Sequence, residues 1–374
     1  MKKLDRTFGV EIEFGLKSNL TREDFKAEFE MRTGETMKII GAYNTGNSPT
    51  DWILGVDSTV DVPNYRGYEL KSPPIKLSEI DRLKKVYEYL NEVGKVNKSC
   101  GQHIHIDAND LTFKQQKKVL IAYLVNEDVI DMMHPMSRRF GMDQYNRRIS
   151  NGSAYCGSGA GRQNITASVI GSQQNNLMNR LLSHYKSVVI NQCIKIIKKA
   201  RSVRRLKGNG FSDKYSNVKF DERYGTIEFR QHAGTLEYSK IANWIIFLNN
   251  FVIGYAYGPA VAMKDETRSD GRDRLFFRKV SQLEKSTKSR VKKYGGFDIP
   301  NSERSYEFLK GRISHFVRNL NGMSDYEKAM RIILENRGVT FTLPTEERNA
   351  HIRMYNAQET NSTEISERAR RVGL

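Results

Sequence analysis

Residues 8–16 read FGVEIEFGL, and the way this stretch alternates decides the fold. In an extended chain, side chains two apart share a face, so Phe8, Val10, Ile12 and Phe14 fall on one side and Glu11 and Glu13 on the other. A strand with one apolar face and one acidic face belongs in a sheet whose core lies on one side only, which is the habit of antiparallel sheets. Three further segments have the same design. GYELK at 67–71 carries Glu69, and two prolines, Pro73 and Pro74, stop pairing just beyond it. QHIHID at 102–107 alternates His103 and His105 with Ile104 and Ile106. TIEFRQ at 226–231, followed by His232, puts Glu228, Arg230 and His232 on one expected face. WILGV at 52–56 is a further strand.

Between the strands the spacing of apolar residues predicts helices over 22–31, 78–93, 112–133, 175–199 and 236–257. Ser78 is the expected cap of the second, with Asp81 in its first turn and Gly94 at its end, and Pro135 stops the third. Strands and helices together give an α+β chain, a mainly antiparallel sheet backed by helices. A main α+β domain is expected over 1–258, a charged linker over 259–300 and a helical C-terminal extension over 301–374.

Composition narrows the class. The chain has 374 residues, 38% hydrophobic and 28% charged, ordinary values for a globular protein rather than a disordered one. The longest apolar run, Trp244–Ala256, is broken by Asn249 and Asn250, so no membrane partner is expected. Cys100, Cys156 and Cys193 form no CxxC pair; with no secretion signal in the N-terminal stretch, they suit a reducing cytoplasm. A formal net charge of +18 suits an anionic partner, whether nucleotide, nucleic acid, acidic polymer or membrane surface, or is simply a solvated basic face.

The strand faces carry the chemistry. Two carboxylates side by side, Glu11 and Glu13, repel each other, and a hard divalent cation relieves that repulsion. A His-x-His strand presents two imidazoles to a metal or a phosphate. An acid beside an arginine, Glu228 with Arg230, suits a metal next to an anionic oxygen. Taken singly, each has a plain explanation: an acidic outer face, two surface histidines, a structural ion pair. Glu69 on a fourth strand makes one ligand-lined face the simpler reading. Gly101, after Cys100, lets the backbone approach something closely.

In order, FGVEIEF, Asp57-Ser58 followed by GYELKSP, CGQHIHID and RYGTIEFRQHAGTL, with Trp244 in the helix that follows, resemble the amidoligase family of carboxylate–amine ligases. The resemblance spans roughly residues 6–257. It implies a glutamine-synthetase-type fold, a funnel-shaped sheet backed by helices, and a phage-type member acting in the host cytoplasm. It further implies ATP and Mg²⁺, with Mn²⁺ as a substitute, and an amide bond formed through an acyl phosphate between small-molecule or peptide carboxylate and amine substrates. Glu11, Glu13, Glu69, His103 and Glu228 become the metal ligands. His105 falls near the phosphates and Arg230 near the transferred phosphoryl group or substrate carboxylate. Lys214 and Tyr215, and Tyr145 with Arg147 and Arg148, are further candidates. Relatives with this fold often assemble, which leaves room for a homo-oligomer.

Glycine-rich NGSAYCGSGAGR at 151–162 is a candidate lid; it is no P-loop, since no GK[ST] follows. Basic runs at 195–207, KIIKKARSVRRLK, and at 278–293 suit nucleic-acid phosphates or are solvated faces. The competing readings are a binding or structural protein, such as a phage-encoded one, that keeps the fold without turnover, a nucleic-acid-binding protein, and a nucleotidyl- or phosphotransferase on the same metal face.

Overall fold

A computed structural model gives the architecture; it describes residues 6–41, 46–97, 99–126, 130, 133–134, 138, 193–209, 211–212 and 216–258. The expected linker, the C-terminal helices, the 151–162 segment and the basic run at 278–293 lie outside these residues.

FGVEIEFGL forms the middle of β1 (Thr7–Lys17), the strand around which the rest is arranged. Next come α1 (Arg22–Thr33), β2 (Met37–Ile39), β3 (Trp52–Val56), β4 (Tyr65–Lys71), β5 (Ile75–Lys76), α2 (Arg82–Val93), β6 (Gly94–Lys95), β7 (Gly101–Asp107) and α3 (Phe113–Val125). A helical segment at 193–199 leads to α4 (Val203–Gly208), β8 (Val218–Asp221), β9 (Thr226–Ala233) and α5 (Tyr238–Tyr257). The strands form one open sheet in the order β2-β3-β4-β1-β7-β9-β8, with β5 and β6 pairing onto β1. Only β2 and β3 run parallel among the described pairs.

Alternation in β1 works as the sequence predicts. Phe8, Val10, Ile12, Phe14 and Leu16 are buried under the helices, while Gly9, Glu11, Glu13 and Gly15 face the other way. On the helix side Phe14 meets Phe25 of α1, Phe29 meets Trp52, and Tyr123 of α3 meets Phe229 and Phe251. Each such ring contributes about 1.5–3 kcal/mol by leaving water.

Local signals set the ends of most helices. Thr21 accepts from the Asp24 N–H at 3.0 Å, and Gly34 closes α1 in the left-handed conformation at φ 76°. Thr112 and Gln115 form a reciprocal capping box on α3. Three expectations are corrected. Ser78 lies in a 3-10 turn, Leu77–Glu79, and does not cap α2; that helix starts after Asp81, whose carboxylate instead accepts from the Tyr238 hydroxyl at 2.5 Å. Helix α3 ends at Val125, short of the expected 133, where the Asn126 side chain bonds back to the Ala122 carbonyl at 2.7 Å; Ile130 is again helical, and 127–129 lie outside the described residues. The third concerns β9. Gln102 pairs with His232, but Ile104 pairs with Phe229, so β9 carries one extra residue there. That bulge swings His232 out of the expected set with Glu228 and Arg230 and into the helix layer, its ring 5.9 Å from that of Trp244.

Arg6, just before β1, fastens the strand. Its guanidinium is buried and donates to Asp110 Oδ1 at 2.5 Å, Asp110 Oδ2 at 2.9 Å, the Asp107 carbonyl at 2.7 Å and the Tyr257 hydroxyl at 3.0 Å. The start of β1, the loop after β7 and the end of α5 thus meet on one side chain.

At the opposite end of β1, the turn 57–63 folds over the acidic face. A Cβ on Gly67 would stand 2.4 Å from the Asp57 carbonyl oxygen, and one on Gly15 would stand 2.9 Å from the Val62 Cβ. Glycine at both positions lets that turn lie directly on the sheet.

Candidate metal centre

The register converts the sequence motifs into rows of side chains across neighbouring strands. Glu13 lies opposite Glu69 between β1 and β4, and Glu11 opposite Lys71. Glu11 also lies opposite His103 across β1 and β7. His105 lies opposite Glu228 across β7 and β9, and Glu228 opposite Lys219 across β9 and β8. Glu11, Glu13, Glu69, His103, His105, Glu228 and Arg230, all singled out in the sequence, therefore share the face away from the helices. Lys214 and Tyr215, the segment with Tyr145, Arg147 and Arg148, and the candidate lid lie outside the described residues.

Glu11 is the hub. His103 Nδ1 is 3.0 Å from its Oε2, and His105 Nε2 and Lys71 Nζ are 3.5 and 3.4 Å from its Oε1. His103 Nε2 is also 3.5 Å from Glu13 Oε1. The Gly101 N–H donates to Glu13 Oε2 at 2.5 Å, the close backbone approach that a glycine after Cys100 allows. Lys71 bonds Glu69 at 2.8 Å. Arg230 donates to Glu228 Oε1, and Lys219 donates to Glu228 Oε2 at 2.6 Å.

Three sets of donor atoms lie within 4.8 Å of one another: Glu11 with Glu69 and His103, Glu11 with His105 and Glu228, and Glu13 with Asp57 and Glu69. Carboxylate oxygens with at most one imidazole per set suit Mg²⁺ or Mn²⁺, which prefer oxygen and tolerate nitrogen in that order of softness. One further observation fits a cation here. His105 Nδ1 is engaged by Thr226 Oγ1 at 3.0 Å, while its Nε2 is buried without a hydrogen-bond partner and points toward Glu11. Fixing one ring nitrogen to aim the other is how a metal-binding imidazole is held.

Charge shifts follow the same geometry. Burial pushes the Glu11 carboxyl up, but the two histidines and Lys71 outweigh it and hold it well below the usual range. Burial likewise raises Glu228, yet His105 and Arg230 bring it down to about 2. Burial lowers His105, but the Glu11 carboxylate 3.5 Å from its Nε2 and the Glu228 charge raise it overall. Glu69 goes the other way. Burial and the neighbouring Glu11 charge, only partly offset by Lys71, push it up to about 8.

The Glu69 shift gives a pH dependence. Near neutral pH Glu69 keeps its proton, and a divalent ion must displace it. His105, also raised, must lose its proton to act as a ligand, so metal binding at pH 7 should release protons, and affinity should rise as pH climbs through about 8. Titration calorimetry in two buffers of different ionisation heat reads this directly. Identical heats in both would rule out Glu69 as a proton-bearing ligand.

Sequence reasoning passes over Lys71 and Lys219, and it takes Asp57 as a turn and motif residue without making it a ligand. Lys71 is within reach of such reasoning, since it stands two residues after Glu69 on the same strand. Asp57 comes from a turn, and Lys219 from a four-residue strand too short to show a period. The basic helical segment 193–208 does not join this face. It runs along α3, where Lys117 Nζ donates to the carbonyls of Lys198 and Ala200 at 2.9 and 2.7 Å.

Residues 4–156 match the family model described as a putative amidoligase enzyme. The match points to a ligase and covers Glu11, Glu13, Asp57, Glu69, Lys71, His103 and His105. It is shorter than the resemblance carried by the motifs, and Glu228, Arg230 and Lys219 lie beyond it. They reach the same face through the pairing of β9 with β7 and β8. No curated protein matches the chain. No helix among the described residues is long and apolar enough to cross a membrane.

Proposed function

We propose that the chain is an ATP- and divalent-metal-dependent carboxylate–amine ligase that makes an amide bond through an acyl phosphate. One observation carries this reading: Glu11 is shared by two donor sets, with His105 and Glu228 on one side and Glu69 and His103 on the other. Adjacent cation positions bridged by one carboxylate suit a polyphosphate, whose charge must be neutralised at more than one oxygen. Those residues would hold Mg²⁺ or Mn²⁺, and a bound ion supplies that neutralisation. Glu13, with Asp57, closes the end of the row.

The remaining work belongs to the protein's own groups. Arg230 flanks the row and can donate to phosphoryl oxygens or to a substrate carboxylate; His105, with Nδ1 held by Thr226, can do the same through Nε2 only when that nitrogen is not serving as a ligand. A carboxylate oxygen attacks the γ-phosphorus and ADP leaves. The amine nitrogen then attacks the acyl carbon, and phosphate departs with that oxygen as the amine loses a proton. Activation is needed because hydroxide is a poor leaving group and phosphate a good one.

Incubating the full chain with ATP, Mg²⁺ and pooled amino acids or peptides tests the proposal. The expected result is ADP, phosphate and a product whose mass is the sum of two substrates less water. A phosphorylated or nucleotidylated product without condensation would replace the ligase with a transferase. Absence of nucleotide turnover would leave a binding protein.

A further inference from the structure

Lys219 is a cation on the donor face to which the proposed chemistry gives no task. It projects from edge strand β8 onto the donor face, and its ammonium lies between two carboxylates. Glu228 Oε2 is 2.6 Å away and Asp221 Oδ2 is 3.0 Å away. Glu228 belongs to a donor set with Glu11 and His105, whereas Asp221 belongs to none among the described residues. Asp221 is itself fixed, because its Oδ1 accepts from the Arg223 N–H at 3.1 Å.

Both oxygens of Glu228 are therefore taken by cations, Oε1 by Arg230 and Oε2 by Lys219. Each oxygen keeps a second lone pair, but a divalent ion that uses Glu228 is repelled by both cations and is favoured when one of them moves away. Arg230 is a planar fork, costly to move off a carboxylate, while a lysine is a flexible point charge that swings about its stem. Lys219 also has somewhere to go: Asp221 lies within hydrogen-bond reach on the same strand face and needs no charge left unpaired.

We propose that Lys219 is a placeholder cation that competes with the divalent ion for Glu228 and is received by Asp221 when it yields. This rests on the reading that Glu11, His105 and Glu228 hold a divalent ion. The placeholder keeps the row neutralised while it is empty. It also weakens metal binding until a ligand of opposite charge takes up the extra positive charge, which couples metal occupancy to anion occupancy.

The test measures Mn²⁺ binding to the full chain from the free-ion resonance signal, at fixed pH and salt without nucleotide. It reads the class of site that Glu228→Gln abolishes. Lys219→Met should bind Mn²⁺ about three- to tenfold more tightly, the scale of one half-exposed charge contact. Asp221→Asn should bind about threefold more weakly, because the lysine loses its second partner. In the double variant the Asp221 effect should vanish, leaving the affinity of Lys219→Met alone.

Wild-type or weaker binding in Lys219→Met overturns the placeholder role. Equal weakening by Asp221→Asn in both backgrounds reduces Asp221 to a nearby charge and overturns its receiving role. If Glu228→Gln abolishes no Mn²⁺ class, the donor set itself is wrong, and the proposal falls with it for a separable reason.

Discussion

Glu11→Gln should abolish divalent-ion binding at the two donor sets that share it and cut ATP turnover by at least about 10³-fold while the protein stays folded. The size of the effect comes from sharing. Glu11 supplies an oxygen to two of the three donor sets, so one neutral amide removes a charged ligand from both. Glu13 and Glu228 each join one set; Glu69 also joins two, but only Glu11 links the Glu69–His103 end of the row to the His105–Glu228 end. Glutamine keeps the shape and can still accept from His103, which limits the structural cost. Far-UV circular dichroism and the urea midpoint check folding, calorimetry checks the metal, and ADP release checks turnover. Wild-type ADP release in this variant would defeat the proposed site.

The largest loss of stability is expected at Arg6, far from the chemistry. Arg6→Ala should cost about 3 kcal/mol, the lower end of what breaking a buried ion pair costs, since Asp110 keeps some contact with water. The loss includes a bidentate carboxylate bond, a carbonyl acceptor and a hydroxyl acceptor. Arg6→Lys should recover only part of this, because an ammonium cannot reach the Asp110 carboxylate, the Asp107 carbonyl and Tyr257 in one plane. A urea midpoint within experimental error of wild type for Arg6→Ala would remove the clamp role. Adding Asp110→Asn to Arg6→Ala should cost less than its single effect, because each variant breaks the same contact.

Where the sequence carries a period, the fold is legible. Strand β1 shows alternation over nearly its whole length, and β4, β7 and β9 repeat it, so four neighbouring members of the sheet and their shared face follow from the residues alone. The α1 and α5 helices fall within a few residues of their expected bounds for the same reason. Short elements are not legible. β2, β5, β6 and β8 span two to four residues, and their existence depends on β1, β3 and β9 offering an edge.

The candidate site shows the same division. Glu11, Glu13, Glu69, His103, His105, Glu228 and Arg230 stand out because acids and histidines interrupt apolar alternation. Asp57 and Lys219 are brought in by a folded-back turn and by an edge pairing, which no local pattern announces. Arg6 gives no local signal either, because its partner Asp110 lies 104 residues away. His232 departs from expectation for a different cause. Strict alternation does not hold through a strand that contains one residue too many.

That extra residue has a further effect. Up to Arg230, β9 is read by the donor face, with Thr226 steadying His105 and Glu228 taking its two cations. Past the bulge, Gln231 bonds the Tyr123 hydroxyl at 2.6 Å and His232 packs beside Trp244, both in the helix layer. A regular strand would transmit any slip at its far end as a flip of every side chain along it. Here the surplus residue takes up the misfit locally. The bulge acts as an expansion joint, so the packing around Trp244 can drift over evolutionary time without re-aiming Glu228.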